Sequence, residues 1–370
     1  MLAKFEVENF KSFKDKLVFE LDKTKNYEFN PQYIKNGIST KNLIYGMNGS
    51  GKSNLGLAVF DIIKHVTTKN FPNTLYAKNY VCAYSPERPV KFAYTFKFDT
   101  NELVYKYTKK NYETLVYEEV IINGETVIKA DRVGGSIEIL LKGTEKLISK
   151  IESNKVSVIA FIRTHTSLDR RNPKNKVFAK FLEFVDHMLF FRSLDQNEYI
   201  GLENGTEIIT ADIIKKNQTK ALEKFLNKAG ITCKLKERDD EIFFCFNDRL
   251  IPIFDIASSG TQTLILFFFW LIRVLDNKIG VSLLFIDEFD AFYHYELAEF
   301  IINNLKNSGV QLFLTTHDTN LMSSELLRPD CYFIIFENRL IRNLPNLTER
   351  EIRQAHNLEK LYKANAFSFD

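Results

Sequence analysis

The sequence predicts an α/β fold: a phosphate-binding core on a mixed, largely parallel sheet, an antiparallel β subdomain, and an inserted, mostly helical lobe. Three observations predict it. A glycine-rich loop at 46–53 stands between a short apolar strand and a helix. Between 260 and 314, apolar strands alternate with stretches of helical spacing, the order of a doubly wound sheet. From 90 to about 141, apolar residues fall at every second position, with turn signals at Asp99-Thr100-Asn101 and Asn123-Gly124, as in antiparallel hairpins.

Taken in order, 2–8 alternates like a strand and 17–21 like its partner. A short buried strand at 42–45 runs into the glycine-rich loop. The following stretch, 52–66, spaces Leu55, Val59, Ile62, Ile63 and Val66 along one helix face. Residues 156–161 read as a further strand. Asn172 before Pro173 reads as a helix cap, followed by Val177, Phe178, Phe181, Leu182 and Val185 at three-and-four spacing. A second helix is expected at 211–229, stopping near Gly230. The lobe is therefore placed at 145–230, between an N-terminal half of the core at 1–144 and a C-terminal half at 231–370. That last part reads as strands 233–236 and 242–246, helix 260–275, strand 283–286, helix 296–305 and strand 311–314.

Composition narrows the class. Of 370 residues, 45% are hydrophobic and 26% charged, enough to bury a full core. A net charge of only +3 argues against a protein that coats nucleic acid along its whole surface. The four cysteines, Cys82, Cys233, Cys245 and Cys331, form no CxxC pair and read as core thiols. The most apolar run, 264–275, is interrupted by Arg273 and is too short to span a bilayer. With no apolar leader after Met1, a cytoplasmic protein is expected.

The chemistry is concentrated in short motifs. Gly46-Met47-Asn48-Gly49-Ser50-Gly51-Lys52-Ser53 fits the pattern G-x4-G-K-[ST]. Its glycines let backbone N–H groups turn toward a phosphate, and the helix after it adds the positive end of its dipole. Lys52 suits the β- and γ-phosphates and Ser53 suits Mg²⁺, with Asn48, Gly49, Ser50, Gly51 and Asn54 around them. Asp287 and Glu288 follow the apolar run Leu283-Leu284-Phe285-Ile286. Asp287 suits a Mg²⁺ contact, and Glu288 could polarise an attacking water as a general base. Thr315-Thr316-His317 ends the next apolar strand, so His317 could reach a γ-phosphate. Ser258-Ser259-Gly260-Thr261-Gln262 opens a helix, again an anion-binding arrangement.

The order of these motifs resembles the ABC ATPase superfamily. The loop at 46–53 corresponds to Walker A, 258–262 to the signature, Asp287 and Glu288 to Walker B, Asp290 to the D-loop and His317 to the switch histidine. Asn9-Phe10-Lys11-Ser12-Phe13 looks like the opening of the Rad50, RecF and SMC-like branch. Asp287-Glu288-Phe289-Asp290-Ala291 with His294, the Ser-Ser-Gly-Thr-Gln signature and Leu358-Glu359-Lys360-Leu361-Tyr362 look like the bacterial AAA15/AAA21 ATPases, an overcoming-lysogenization-like group common in phage-defence operons. Thr261 stands where transporters have a second glycine, and no glutamine takes the Q-loop role.

The resemblance implies an ATP- and Mg²⁺-dependent ATPase that pairs head-to-tail, as a homodimer or higher even oligomer. Each ATP would lie between Walker A of one copy and Ser259 and Gly260 of the other. Two roles compete, and the first, in anti-phage defence, is the one expected. One is a sensor and scaffold for a separate effector protein such as a nuclease: only about fifty residues follow His317, and they lack spaced acidic residues suited to two metals. The other is a repair-like ATPase acting on DNA ends through a basic cluster at 163–180, Arg163, Arg170, Arg171, Lys174, Lys176 and Lys180. A transporter motor is the weakest alternative, and no membrane partner is expected. Phe10 and Phe13 could equally be base-stacking or core residues.

Overall fold

A computed structural model of the chain describes residues 1–67, 69, 76–145, 147, 156–192, 199–201, 209–275, 280–288, 299, 302–306 and 308–367. The first half contains β1 (Leu2–Glu8), β2 (Leu17–Glu20), β3 (Ile34–Lys35), β4 (Ile38–Ser39), β5 (Lys41–Tyr45), α1 (Lys52–Phe60) and α2 (Ile62–Val66). A hairpin series follows: β6 (Val90–Phe98), β7 (Asn101–Lys109), β8 (Leu115–Ile122), β9 (Glu125–Asp131) and β10 (Ser136–Ile139). Next come α3 (Val158–His165), α4 (Pro173–Asp186), β11 (Met188–Arg192), β12 (Tyr199–Gly201), α5 (Ile209–Lys215) and α6 (Thr219–Lys228). The remainder is β13 (Leu235–Arg238), β14 (Glu241–Phe246), β15 (Arg249–Pro252), α7 (Ile253–Ile256), α8 (Ser259–Leu275), β16 (Leu283–Asp287), β17 (Gln311–Thr316), β18 (Tyr332–Ile335), β19 (Ile341–Asn343) and α9 (Leu358–Lys363).

Two seven-stranded sheets carry the fold among the described residues. One is antiparallel, in the order β10-β9-β8-β7-β6-β1-β2; the other runs β12-β11-β16-β17-β5-β18-β19. In the second, β11, β16, β17, β5 and β18 are parallel neighbours, and antiparallel strands close both edges. The parallel strands are buried on both faces, which explains their unbroken apolar runs. Alternate residues enter different cores. Phe190, Leu283, Phe285, Phe313 and Phe333 pack with α1 and the antiparallel sheet, while Leu189, Leu284, Ile286, Leu314 and Ile334 pack with α8.

The segment at 145–230 is mostly helical, as expected, and adds to the parallel sheet a strand that was not. Its strand β11 pairs with β16 inside the parallel sheet, with Phe190 beside Phe285 at 5.2 Å between ring centroids. From α4, Phe181 and Phe184 pack on Phe96 of the antiparallel sheet. The expected strand at 156–161 is also corrected, because Val158–His165 is helical. The Ser157 hydroxyl accepts from the amides of Ile159 and Ala160, and the buried Glu118 carboxylate accepts from the amide of Val158. These bonds occupy the amides that start a helix, against the β-branched composition of the segment. The single helix expected at 211–229 is two, α5 and α6, separated by Lys216, Asn217 and Gln218, with Asn217 left-handed at φ 56°. The Asn172 cap on α4 is as expected: its side chain accepts from Lys174 and Asn175. Most of the helix expected at 296–305, and Asp290 and His294, lie outside the described residues. No helix among the described residues is long and apolar enough to cross a membrane.

A buried polar cluster ties the far end of α1 to the antiparallel sheet. Asp61, wholly buried, accepts from Lys109 Nζ (3.2 Å to each oxygen), Tyr107 (2.9 Å) and Tyr80 (3.0 Å), and lies 3.4 Å from His65. Burial alone would raise its pKa, but the Lys109 ammonium, His65 and Tyr107 outweigh it and hold the carboxyl well below the usual range. A depressed carboxylate contributes stability that is fully present above its unfolded pKa near 4 and is lost as pH falls toward the folded value. The advantage of wild type over Asp61→Asn in denaturant midpoint should therefore be largest near neutrality and shrink below about pH 4. Lys109→Met, which strands a buried carboxylate, should cost about 3–5 kcal/mol. An Asp61→Asn deficit that is the same at pH 7 and pH 3 would contradict this account of the cluster.

Candidate functional site

The phosphate loop lies between β5 and α1. Ser50 N–H donates to the Met47 carbonyl (3.0 Å), closing the turn, and Leu55 N–H bonds to Gly51 at 2.9 Å. Gly49 (φ 76°) and Gly51 (φ 106°) take left-handed conformations that residues with a Cβ rarely adopt. Gly51 stands at the N-cap of α1, and no side chain among the described residues caps that end, where helix amides favour an anion. Lys52 is only 5% exposed; its ammonium donates to the carbonyls of Gly46 (2.6 Å) and Met47 (3.1 Å), bridging the loop from within. Asn48 and Gly49 are exposed, Ser53 and Asn54 are half-buried, and the Ser50 hydroxyl is buried without a hydrogen-bond partner among the described residues.

The opening motif sits under this loop. Asn9 (φ 61°) and Lys11 (φ 48°) make a left-handed turn closed by hydrogen bonds between Phe10 and Phe13. The Asn9 amide donates to the carbonyls of Ser85 (3.0 Å) and Arg88 (2.6 Å). Phe10 and Phe13 are wholly buried, which assigns them to the core rather than to base stacking. The turn delivers Ser12, whose hydroxyl accepts from Asn54 Nδ2 at 2.8 Å. Phe13 lies so close that a Cβ on Gly51 would stand 3.0 Å from its ring.

Strand register brings the other motifs to the same edge. Tyr45, just before Gly46, pairs with Thr316, just before His317, while Ile286, just before Asp287, pairs with Leu314. Neighbouring strands lie about 4.8 Å apart, so the phosphate loop, His317 and the Asp287-Glu288 pair leave the sheet side by side at its carboxyl end. Helix α1 crosses β16 closely because residue 56 is glycine: a Cβ there would lie 2.8 Å from Phe285. Ser53, one turn earlier in α1, is thereby carried toward the end of β16 that bears Asp287. The Asp287 carboxylate is 4% exposed and accepts from the Thr315 hydroxyl (2.7 Å), which in turn accepts from the amide of Glu288 (2.7 Å). Glu288 is left-handed at φ 45°, and His317 is exposed.

The signature stands apart. Ser258 caps α8 by accepting from the Thr261 amide (3.3 Å), and Gln262 Nε2 donates to the Ala257 carbonyl (3.0 Å). Ser259 and Gly260 form the first turn. Ser258 and Thr261 border a cleft of about 700 Å³ with Asn227, Cys233 and Phe246, whereas Gly46 and Met47 border another of about 600 Å³ with Phe336, Asn338 and Tyr362.

Two features were not foreseen from the sequence. Arg339, in the turn between β18 and β19, donates to the Gly49 carbonyl of the phosphate loop at 2.5 Å, a contact with no sequence signal. The basic cluster at 163–180 is largely matched by acids: Arg163 forms a two-pronged pair with Asp186, Arg171 pairs with Asp169, Lys174 with Glu125 and Lys180 with Asp99. Because Gly51 is both left-handed and packed on Phe13, Gly51→Ala should weaken nucleotide binding at least about tenfold while the two sheets stay folded. Unchanged affinity in a binding titration would contradict this geometry.

The profile of the family described as "AAA domain, putative AbiEii toxin, Type IV TA system" matches residues 138–323, half of the chain, including the signature, Asp287, Glu288 and His317. No curated protein matches the chain. Solved structures align over nearly its whole length at low identity. The SMC head domain from Thermotoga maritima is 14% identical, covers 95% of this chain and 99% of its own, and has a TM-score of 0.41. An SMC head bound to the C-winged helix domain of ScpA is 16% identical, with 92% and 96% covered and a TM-score of 0.45. The recombination mediator RecF with ATP is 14% identical, with 93% and 99% covered and a TM-score of 0.40. By its profile match the chain belongs to the AAA_21 family, the ABC-type ATPase branch that its motifs resemble.

Proposed function

We propose that this chain is an ATP-binding and ATP-hydrolysing head that pairs head-to-tail around two ATP molecules and controls a separate effector, such as a nuclease, in anti-phage defence. The observation that carries the ATPase reading is the level ending of β16, β17 and β5, which sets a phosphate loop beside an acidic pair and a histidine. In this reading Lys52 leaves the carbonyls of Gly46 and Met47 to hold the β- and γ-phosphates, and the amides at the start of α1 take the remaining charge. Glu288 polarises the attacking water, and His317 faces the γ-phosphate.

The donor set fits Mg²⁺, which prefers oxygen ligands: the Ser53 hydroxyl and the Asp287 carboxylate lie toward one end of α1 and β16. When bound, the ion would neutralise charge on the phosphates. Pairing is supported by the cleft that Ser258 and Thr261 of the signature border, which is not the one bordered by Gly46 and Met47 of the phosphate loop. The phosphate loop is correspondingly open, with Met47 66% exposed on its crown.

The role beyond hydrolysis rests on family membership, whose description names a toxin and a toxin–antitoxin system. Direct action on DNA ends is the less supported reading, because four of the six basic residues at 163–180 already have acidic partners.

Phosphate release from ATP tests the reading. Wild type should turn over, while Glu288→Gln, Lys52→Ala and Ser259→Arg should each lose at least about a hundredfold. A mixture of the Lys52→Ala and Ser259→Arg chains should recover part of the activity, since one of its two composite sites is intact. Full activity of Ser259→Arg alone, or no recovery in the mixture, would contradict a shared site.

A further inference from the structure

Thr315 lies one residue before the end of β17 and is wholly buried. The direction of its two hydrogen bonds follows from chemistry. An amide can only donate, so the Glu288 N–H gives its proton to the Thr315 oxygen; the single hydroxyl proton is then left for Asp287 Oδ1. Both contacts measure 2.7 Å. One side chain thus orients the carboxylate of Asp287 and pins the backbone of Glu288 where it turns left-handed, a conformation that a residue with a Cβ resists.

We propose that Thr315 is a positioning residue for hydrolysis, its one hydroxyl setting both the carboxylate that would face the metal and the turn that presents the water-polarising glutamate. The proposal rests on the roles given above to Asp287 and Glu288. It assigns Thr315 no contact with the nucleotide. The same strand end also sets the histidine: the Thr316 hydroxyl accepts from the Asp318 amide at 3.0 Å, closing the backbone around His317. A threonine serving only to fill space would be replaced by valine, of the same shape, without consequence. A positioning threonine would instead tolerate serine, which keeps the hydroxyl and loses the methyl.

The test compares full-length wild type, Thr315→Val, Thr315→Ser and Glu288→Gln in steady-state ATP turnover across a Mg²⁺ titration. Binding of a fluorescent ATP analogue without metal and the thermal midpoint are measured alongside. Thr315→Val should lower kcat roughly 10- to 100-fold and raise the Mg²⁺ needed for half-saturation, with metal-free nucleotide affinity within a few-fold of wild type. Thr315→Ser should restore most of the rate. If Thr315→Val does not fold, Thr315→Ala against Thr315→Ser makes the same contrast. Wild-type turnover in Thr315→Val, or an equal loss in the serine variant, would overturn the proposal while an inactive Glu288→Gln left the hydrolytic reading standing. Wild-type turnover in Glu288→Gln would instead overturn the reading on which the proposal rests.

Discussion

Three adjacent parallel strands, β16, β17 and β5, end within one residue of one another, and each carries a different chemical group at or just past its end. The pairing of Ile286 with Leu314 and of Thr316 with Tyr45 sets this. A shift of one residue in either pairing would move every side chain of that strand to the opposite face, exchanging the residues that pack on α1 with those that pack on α8. The two cores therefore enforce the register, and the register places the site. Fixing the arrangement falls to large apolar side chains: Phe285 and Phe313 on one face, Ile286 and Leu314 on the other.

Helix α1 is held at both ends by parts of the chain outside the parallel sheet. At its start, the turn at Asn9-Phe10-Lys11-Ser12-Phe13 supports Gly51 and bonds to Asn54; just beyond its end, Asp61 is locked to Tyr80, Tyr107 and Lys109. Between them Gly56 lets the helix lie against Phe285 and Phe190. The phosphate loop is therefore clamped between the two sheets rather than hung on one. Buried, hydrogen-bonded polar clusters of this kind rigidify what they join, and the antiparallel sheet is mechanically part of the loop's support.

Legibility in the sequence followed chain distance. The phosphate loop, the Asp287-Glu288 pair, the cap at Asn172 and the hairpins of the antiparallel sheet are local patterns, and each lies where its pattern pointed. Features that depend on distant partners did not show. No strand is expected at 188–192 from the sequence, although Met188–Arg192 is one whose partner, β16, lies about a hundred residues away. The helix at Val158–His165 has strand-like composition and owes its form partly to Glu118 on another element. Counter-charges that offset part of the basic stretch at 163–180, Glu125 and Asp99, come from the hairpin series and do not show in the stretch itself. Arg339 carries no sequence signal, and Thr315 stands out only as part of the run before His317, since a buried threonine and a turn arginine are ordinary until their partners are known.

The central claim is that ATP, bound at the sheet edge of one copy, is completed by the signature of another. Its most direct test is the mass in solution of Glu288→Gln, a variant that should bind ATP without consuming it, measured with and without ATP and Mg²⁺. The account predicts dimers or larger even-numbered assemblies only when both are present, and none for Lys52→Ala. A monomer under every condition, in protein shown by titration to have ATP bound, would contradict it.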